Sequence, residues 1–370
     1  MKFEVSRKVL LTAIESVIHA IQSKASLPIL QNVLIDLNES RLMMTGTDLQ
    51  IELRSVTECI PNNIVVIESG KLTVSAKKLM DIVRAFPDET IKIERDCEKL
   101  VVKCKRSRFT LPILPADDFP VYQLQGDPVV VEMDRKQLNE ALKSVIHAVA
   151  QKDVRYYLNG VALFLNPAFG MDVVATDGHR LAKENIQQSV TDECELIITS
   201  DSAQSVIRLS NDESDTFTVL LNRNPNNALV VDTGKIRLVA KLIDGKFPAY
   251  DRVIPKQCAN EVIVNRLEFI NALKRCKIVM SNACGIKLTF NESSLKLEGH
   301  NDGEESEDEV VLQNYTGTPI EMGFNGVYLQ EALSSLDTEL VLMKFTDATS
   351  AMLIEPTEGS GQRVIMGMRL

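Results

Sequence analysis

The sequence predicts an α+β fold of three tandem copies of one module, two helices plus antiparallel sheets each. Three observations predict it: a repeated helical string, an evenly spaced second helix and a repeated turn. The string RKVLLTAIESVIHAI from Arg7 aligns without gaps on RKQLNEALKSVIHAV from Arg135, and less closely on RLEFINALKRCKIVM from Arg266. Its shared apolar positions are Leu10, Ala13, Ile14 and Val17, then Leu138, Ala141, Leu142 and Val145, then Phe269, Ala272, Leu273 and Cys276. That spacing marks one face of a helix. A second helix is expected to open at Ser75, Ser200 and Asn325, evenly spaced residues of types that cap helix N-termini. Between the helices run strands such as NVLIDL from Asn32, GVALFL from Gly160 and GIKLTF from Gly285. A turn then recurs as Thr47-Asp48, Thr176-Asp177 and Asn301-Asp302, and two copies end in FPVY from Phe119 and FPAY from Phe247. The expected domains are residues 1–125, 126–253 and 254–370. No low-complexity linker separates them, which predicts rigid abutment.

With 370 residues, each third is long enough to bury its own core. A composition 45% hydrophobic and 25% charged describes a globular chain. It holds no apolar run near the roughly 18 residues a membrane span needs. The start, MKFEVSRKVL, alternates and then turns amphipathic, so no signal peptide is expected and the cytoplasm is the expected compartment. Seven cysteines (Cys59, Cys97, Cys104, Cys194, Cys258, Cys276 and Cys284) are scattered without a C-x-x-C pair and read as reduced structural thiols. No metal or cofactor is expected.

The net charge of -10 speaks at first against nucleic acid. Its distribution matters more: the six helical windows together carry a positive excess, and the acidic excess lies elsewhere. Solvated helical lysines give the same count. Yet copies set along an arc would place their helices on one surface less hostile to phosphate. The acidic run DGEESEDE ending at Glu309 in the third copy and the basic KCKRSR from Lys103 in the first suggest a head-to-tail contact between chains. Such a contact closes into a ring where the rotation allows it. Helices of two chains, side by side at about 10 Å each, would enclose a hole of roughly 28 Å, wide enough for a hydrated duplex.

RYYLNG from Arg155, ATDGHRLA from Ala175, GKFPAYDRVIP from Gly245 and the terminal MGMRL from Met366 resemble the bacterial DNA polymerase III β subunit, the sliding clamp. The resemblance covers the whole chain in order. It implies three DNA-clamp domains and a ring-forming, head-to-tail homodimer. It further implies a non-catalytic processivity factor that encircles duplex DNA without reading its sequence, tethers the replicative DNA polymerase and other replication and repair proteins, and is loaded by an ATP-driven clamp loader. It also implies a pocket for short linear peptide motifs, made of Arg155, Tyr157, Leu158, Thr176, Gly178, His179, Arg180 and Leu181, then Pro248, Arg252 and Val253, then Asn325, Tyr328, Thr349, Val364, Met366, Met368 and Arg369. DNA contact is implied for Lys24, Lys152, Tyr156 and Tyr157. The dimer contact is implied for Phe109 and Leu111 against Val279 and Met280, flanked by Arg106 and Arg108 facing Asp308 and Glu309. Tails of this kind commonly read M-P-M-R-L; Gly367 in place of the proline predicts a looser tail.

The rival reading is a triplicated hydrolase or ligand-binding enzyme acting around His179, since Asp177-Gly178-His179-Arg180 pairs standard acid-base residue types. The same turn recurs in the other copies, which favours architecture. His19 and His147 occupy equivalent helix positions, and no phosphate-cradling glycine loop occurs. Energy for opening a ring would therefore come from a partner.

Overall fold

The computed structural model describes residues 1–369 except 23, 124–128, 192, 210–215, 223–227, 280–284 and 302. Six helices occur among the described residues: α1 (Arg7–Val17), α2 (Ala76–Ala85), α3 (Arg135–Val145), α4 (Ser200–Arg208), α5 (Arg266–Cys276) and α6 (Gly326–Ser334). The repeat dictates which faces they bury. α1 buries Leu10, Ala13, Ile14 and Val17, α3 buries Leu138, Ala141, Leu142 and Val145, and α5 buries Phe269, Ala272, Leu273 and Cys276. Each branched side chain so buried stabilises its copy by about 1.5–3 kcal/mol.

The arginine that opens the repeat has a structural reason. Arg7 donates from Nε to the Val83 carbonyl (2.9 Å) and from Nη2 to that of Arg84 (2.9 Å), closing the C-terminal end of α2. In the third copy Arg266 donates to the carbonyls of Leu333, in the last turn of α6, and of Thr338 just beyond it. Carbonyls at a helix end lack intrahelical partners, and a cation there also meets the negative end of the helix dipole.

Two expected caps differ from the sequence reading. Ser75 occupies the position before α2 but its side chain makes no capping bond, and Ser200 is already helical. Its neighbour Thr199 accepts from the Ser202 amide at 3.1 Å instead. Asn325 does cap α6, accepting from Val327 N at 2.9 Å and Tyr328 N at 3.2 Å. The Asn301-Asp302 turn falls partly outside the described residues.

Among the described residues the strands form two antiparallel sheets, and neither follows the copies. The first runs Val129–Asp134, Thr216–Asn222, Ala228–Asp232, Ile236–Lys241, Ile51–Glu58, Arg41–Thr47, Asn32–Leu37, Gly70–Ser75, Ser107–Leu114, Lys99–Cys104, Thr90–Asp96, Lys2–Ser6, Ile64–Glu68. The second runs Cys194–Thr199, Gly160–Asn166, Gly170–Thr176, Arg180–Ile186, Gln362–Ile365, Met352–Pro356, Leu340–Phe345, Asn260–Asn265, Glu304–Thr316, Ser294–Asn301, Gly285–Phe290, Ile320–Asn325. The chain accordingly divides into two compact units, Met1–Arg135 with Arg208–Leu242, and Lys136–Ile207 with Ile243–Leu370. The middle copy gives strands to both. Among the described residues no helix is long and apolar enough to cross a membrane.

Candidate functional site

In the second unit, the turn after Gly170–Thr176 organises the residues expected to line the peptide pocket. Thr176 Oγ1 donates to the Arg180 carbonyl (2.6 Å) and accepts from Gly178 N (3.1 Å). Asp177 Oδ1 accepts from His179 N (2.8 Å) and Arg180 N (3.0 Å). The first unit builds the same turn: Thr47 Oγ1 bonds the Ile51 carbonyl and Leu49 N, and Asp48 Oδ1 accepts from Gln50 N and Ile51 N. An aspartate spent on its own backbone in both copies is a turn former. The hydrolytic reading of Asp177 and His179 loses its support.

On this turn the functional side chains are set. Gly178 sits at φ +89, and a Cβ there would stand 3.2 Å from the Arg155 guanidinium, so glycine satisfies both the left-handed backbone and the close approach. Arg155 is itself held by Asp153, with Nη2 to Oδ2 at 2.8 Å, and that bond keeps the Asp153 carboxyl at about 2. Arg180 is more enclosed. It pairs with Asp177 Oδ2 (3.0 Å) and with Glu331 of α6, and its guanidinium lies 4.2 Å above the Tyr328 ring. The turn is thereby fastened to the third copy's second helix.

The apolar floor follows from strand pairing. Leu181 stands opposite Val364 in register, and both are buried with Leu158, Phe247 and Tyr250, with Tyr157 packed against them. Met366 and Met368 remain exposed at 45% and 38%, so their thioether chains are offered to an occupant. Their backbone is not loose: Met366 N donates to the His179 carbonyl (2.9 Å) and Met368 N to that of Gly323 (2.8 Å). Gly367 lies between the two bonds, its Cβ position 3.1 Å from the Ser350 carbonyl oxygen and 3.4 Å from that of Thr349. The freedom expected of Gly367 is thus confined to the one residue between two backbone hydrogen bonds. Pro248, Arg252 and Val253 are exposed around the buried Phe247 and Tyr250. The Asn325 amide oxygen is spent on α6, and Arg369 is exposed.

The anchor behind this wall was missed in the sequence. Buried Asp172 accepts from Tyr250 Oη (2.8 Å) and Lys183 Nζ (2.9 Å) on one oxygen and from Asn185 Nδ2 (2.7 Å) on the other. Its alternation within GMDVVAT gives no signal, because its partners come from other strands and the FPAY segment.

The DNA-contact candidates are all on the surface or partly so. Lys24, Lys152 and Tyr156 are exposed, Lys152 with φ 56, while Tyr157 is half-buried with its ring edge-on to Tyr156 at 5.8 Å.

Most of the dimer candidates lie on two half-open strand edges or the turns beside them. In the first unit, Ser107–Leu114 pairs along Ser107–Pro112 with Lys99–Cys104, but its other side meets Gly70–Ser75 only at Ile113 and Leu114. Arg106, Arg108 and Phe109 are exposed there, Phe109 tilted against Phe86 at 5.6 Å, while Leu111 is buried. In the second unit, Glu304–Val311 pairs with Ser294–Asn301, and Asn260–Asn265 engages its other side only from Leu312 onward. Glu309 is exposed there. Asp308 is already paired with Arg275, whose hydrogen bond lowers the pKa of its carboxyl. Val279 is half-buried and Met280 lies outside the described residues. More prominent are Ile278 and Val311, 83% and 65% exposed. Sequence reasoning passed over both; an isoleucine just past the helical face was the available signal for the first.

Comparison with known proteins agrees with this geometry along the whole chain. Residues 1–123, 132–249 and 251–369 match the family models for the N-terminal, central and C-terminal domains of the DNA polymerase III beta subunit. The chain is similar to the beta sliding clamps of Pseudomonas putida (34% identity) and Escherichia coli (32%), covering 100% of each and of itself. It is also similar to the crystal structure of a DNA polymerase sliding clamp from Pseudomonas aeruginosa, at 34% identity, TM-score 0.93 and full coverage of both chains. The DNA polymerase III beta subunit of Thermotoga maritima matches at 26% identity and TM-score 0.90, covering 100% of this chain and 99% of that one. The chain belongs to the DNA polymerase III beta subunit family, the non-catalytic sliding clamps of bacteria.

Proposed function

We propose that this sliding clamp works in the cytoplasm as a head-to-tail homodimer closed around duplex DNA, and that its second-unit pocket takes short linear peptides from the replicative polymerase and the clamp loader. The observation that carries the ring is the complementarity of the two half-open edges. Ser107–Pro112 carries Arg108 and exposed Phe109, and Glu304–Val311 carries Glu304, Glu305, Glu307 and Glu309 with exposed Val311. An unpaired strand edge is a template for another chain, and opposite charges on two such edges favour pairing them with each other over self-pairing. Ile278 adds apolar surface beside the acidic edge's helix end. The arrangement is heterologous, so closure yields a ring.

Lys24, Lys152, Tyr156 and Tyr157 then supply phosphate and stacking contacts without base readout, which suits sliding. For the pocket, a buried apolar floor beside two exposed methionines and fixed guanidinium groups fits variable peptides with an apolar anchor. Sedimentation equilibrium is expected to give the mass of two chains, and Ile278→Asp to shift it to one. On nicked circular DNA the loaded protein is expected to be retained and to be released when the circle is linearised. A stable monomer or trimer overturns the ring, and retention on linear DNA overturns encirclement.

A further inference from the structure

The first unit carries a second cleft that repeats the build of the pocket with different chemistry. Ala240 stands opposite Ile51 and Val239 opposite Glu52, as Ile365 stands opposite Arg180 and Val364 opposite Leu181. Lys241 N donates to the Gln50 carbonyl (2.9 Å), as Met366 N donates to that of His179. The FPVY segment lines it as FPAY lines the other. Its volume is about 150 Å³, bounded by Thr47, Leu49, Glu52, Val121, Tyr122 and Lys241 among others, and it is open to solvent on one side. A cavity of this size holds one benzene-sized group.

Two features show what it would accept. Leu49 takes φ 74, a left-handed conformation that costs a side-chain-bearing residue roughly 1–2 kcal/mol and that glycine would adopt freely. Its side chain nevertheless stands 41% exposed on the cleft wall, with Val121 at 40% on the same cleft. Two apolar side chains held in water, that of Leu49 at a cost to its own backbone, point to an apolar occupant. The charge is also one-sided. The Glu52 carboxylate is committed to Arg54 (3.1 Å) and to Tyr122 N (2.7 Å), whereas Lys241 is exposed and joins no ion pair among the described residues.

We propose that this cleft is a second docking site, which seats one aromatic or branched side chain of an extended acidic segment of a partner protein and pairs the neighbouring carboxylate with Lys241. It rests on its own residues and does not require the second-unit pocket to bind peptide. A shallow cleft open on one side grips a single side chain, and the chain attached to it continues along the surface. The geometry shared with the second-unit pocket supplies the frame, while lysine in place of methionine and glutamate in place of leucine change the selectivity from an apolar groove to an apolar seat with a cationic rim.

The test uses the full-length protein with labelled Leu, Val and Met methyl groups, titrated with acetyl-Phe-Asp-amide and its uncharged match acetyl-Phe-Asn-amide. Saturable shifts of the Leu49 and Val121 methyls are expected, with the Asn probe and Lys241→Gln each weakening binding about fivefold. Leu49→Gly is expected to abolish it while the protein stays folded, because glycine suits the turn. Met366→Ala, in the other pocket, is expected to leave the Leu49 and Val121 responses unchanged. Shifts confined to the Met366 and Met368 methyls, equal affinity for the two probes, or no shift at up to about 10 mM each overturn the proposal.

Discussion

The turn at Thr47–Ile51 and the turn at Thr176–Arg180 share every backbone-directed bond of their threonine and aspartate, yet the tyrosines packed behind them are held by different groups. In the second copy the wall is wired by charge: Tyr250 reaches Asp172, which Lys183 and Asn185 also hold. In the first copy Met43 stands where Asp172 stands, and the tyrosine of FPVY is held through its backbone by Glu52 while its ring packs on Ala228, Val230 and Val239. A repeated backbone is therefore compatible with a tyrosine fixed through its hydroxyl or through its backbone amide. The difference decides what the cleft above it can recognise.

The largest effect should come from the charged keystone. Asp172→Ala leaves Lys183, only 19% exposed, without its close partner and is expected to destabilise by about 3 kcal/mol, against about 1 kcal/mol for Met43→Ala. Urea denaturation of the two variants measures the gap, and equal losses would dissolve the contrast.

The equivalent histidines sharpen it next. Burial, then the Arg363 and Arg180 charges, hold His147 down at about 3 from its ordinary 6.5, while His19 is lowered chiefly by burial and then by Arg208. A folded pKa below the unfolded one means that stability is present above 6.5. It is lost as pH falls from 6.5 toward 3, because only the unfolded chain takes the proton. Between pH 7 and 4 the His147 share is on the order of 3 kcal/mol. His147→Gln is expected to flatten the acid slope of unfolding free energy much more than His19→Gln; equal slopes would remove the distinction.

A smaller difference is expected at the turns themselves. Asp177→Ala gives up two backbone bonds and the Arg180 pair, about 2 kcal/mol, whereas Asp48→Ala gives up two backbone bonds and a long contact to Gln22, about 1 kcal/mol. Thermal unfolding ranks them. Smallest is Gly367→Pro: with the chain pinned on both sides of it, peptide affinity is expected to change less than about fivefold. A larger gain by calorimetric titration would restore the role of tail stiffness.

Much of this was legible in the sequence, for a physical reason. Helix faces such as Leu10-Ala13-Ile14-Val17 and turn formers such as Thr47-Asp48 and Thr176-Asp177 act within a few residues, so a repeated string is enough to place them. RYYLNG and GHRL supply Tyr157, Leu158 and Leu181, which pack with Val364, and MGMRL supplies Met366, whose amide bonds the His179 carbonyl. What the tertiary structure alone decided depends on strands distant in sequence. Pairing of Arg180–Ile186 with Gln362–Ile365 and of Ile51–Glu58 with Ile236–Lys241 shares the middle copy between two sheets, although its sequence reads as one continuous module. The Asp172 network, the committed carboxylates of Glu52 and Asp308, and the half-open edges at Ser107–Pro112 and Glu304–Val311 arise the same way. Hydrogen bonds satisfied across strands leave no local pattern, because the periodicity of a strand records which face is buried and not which partner lies beside it.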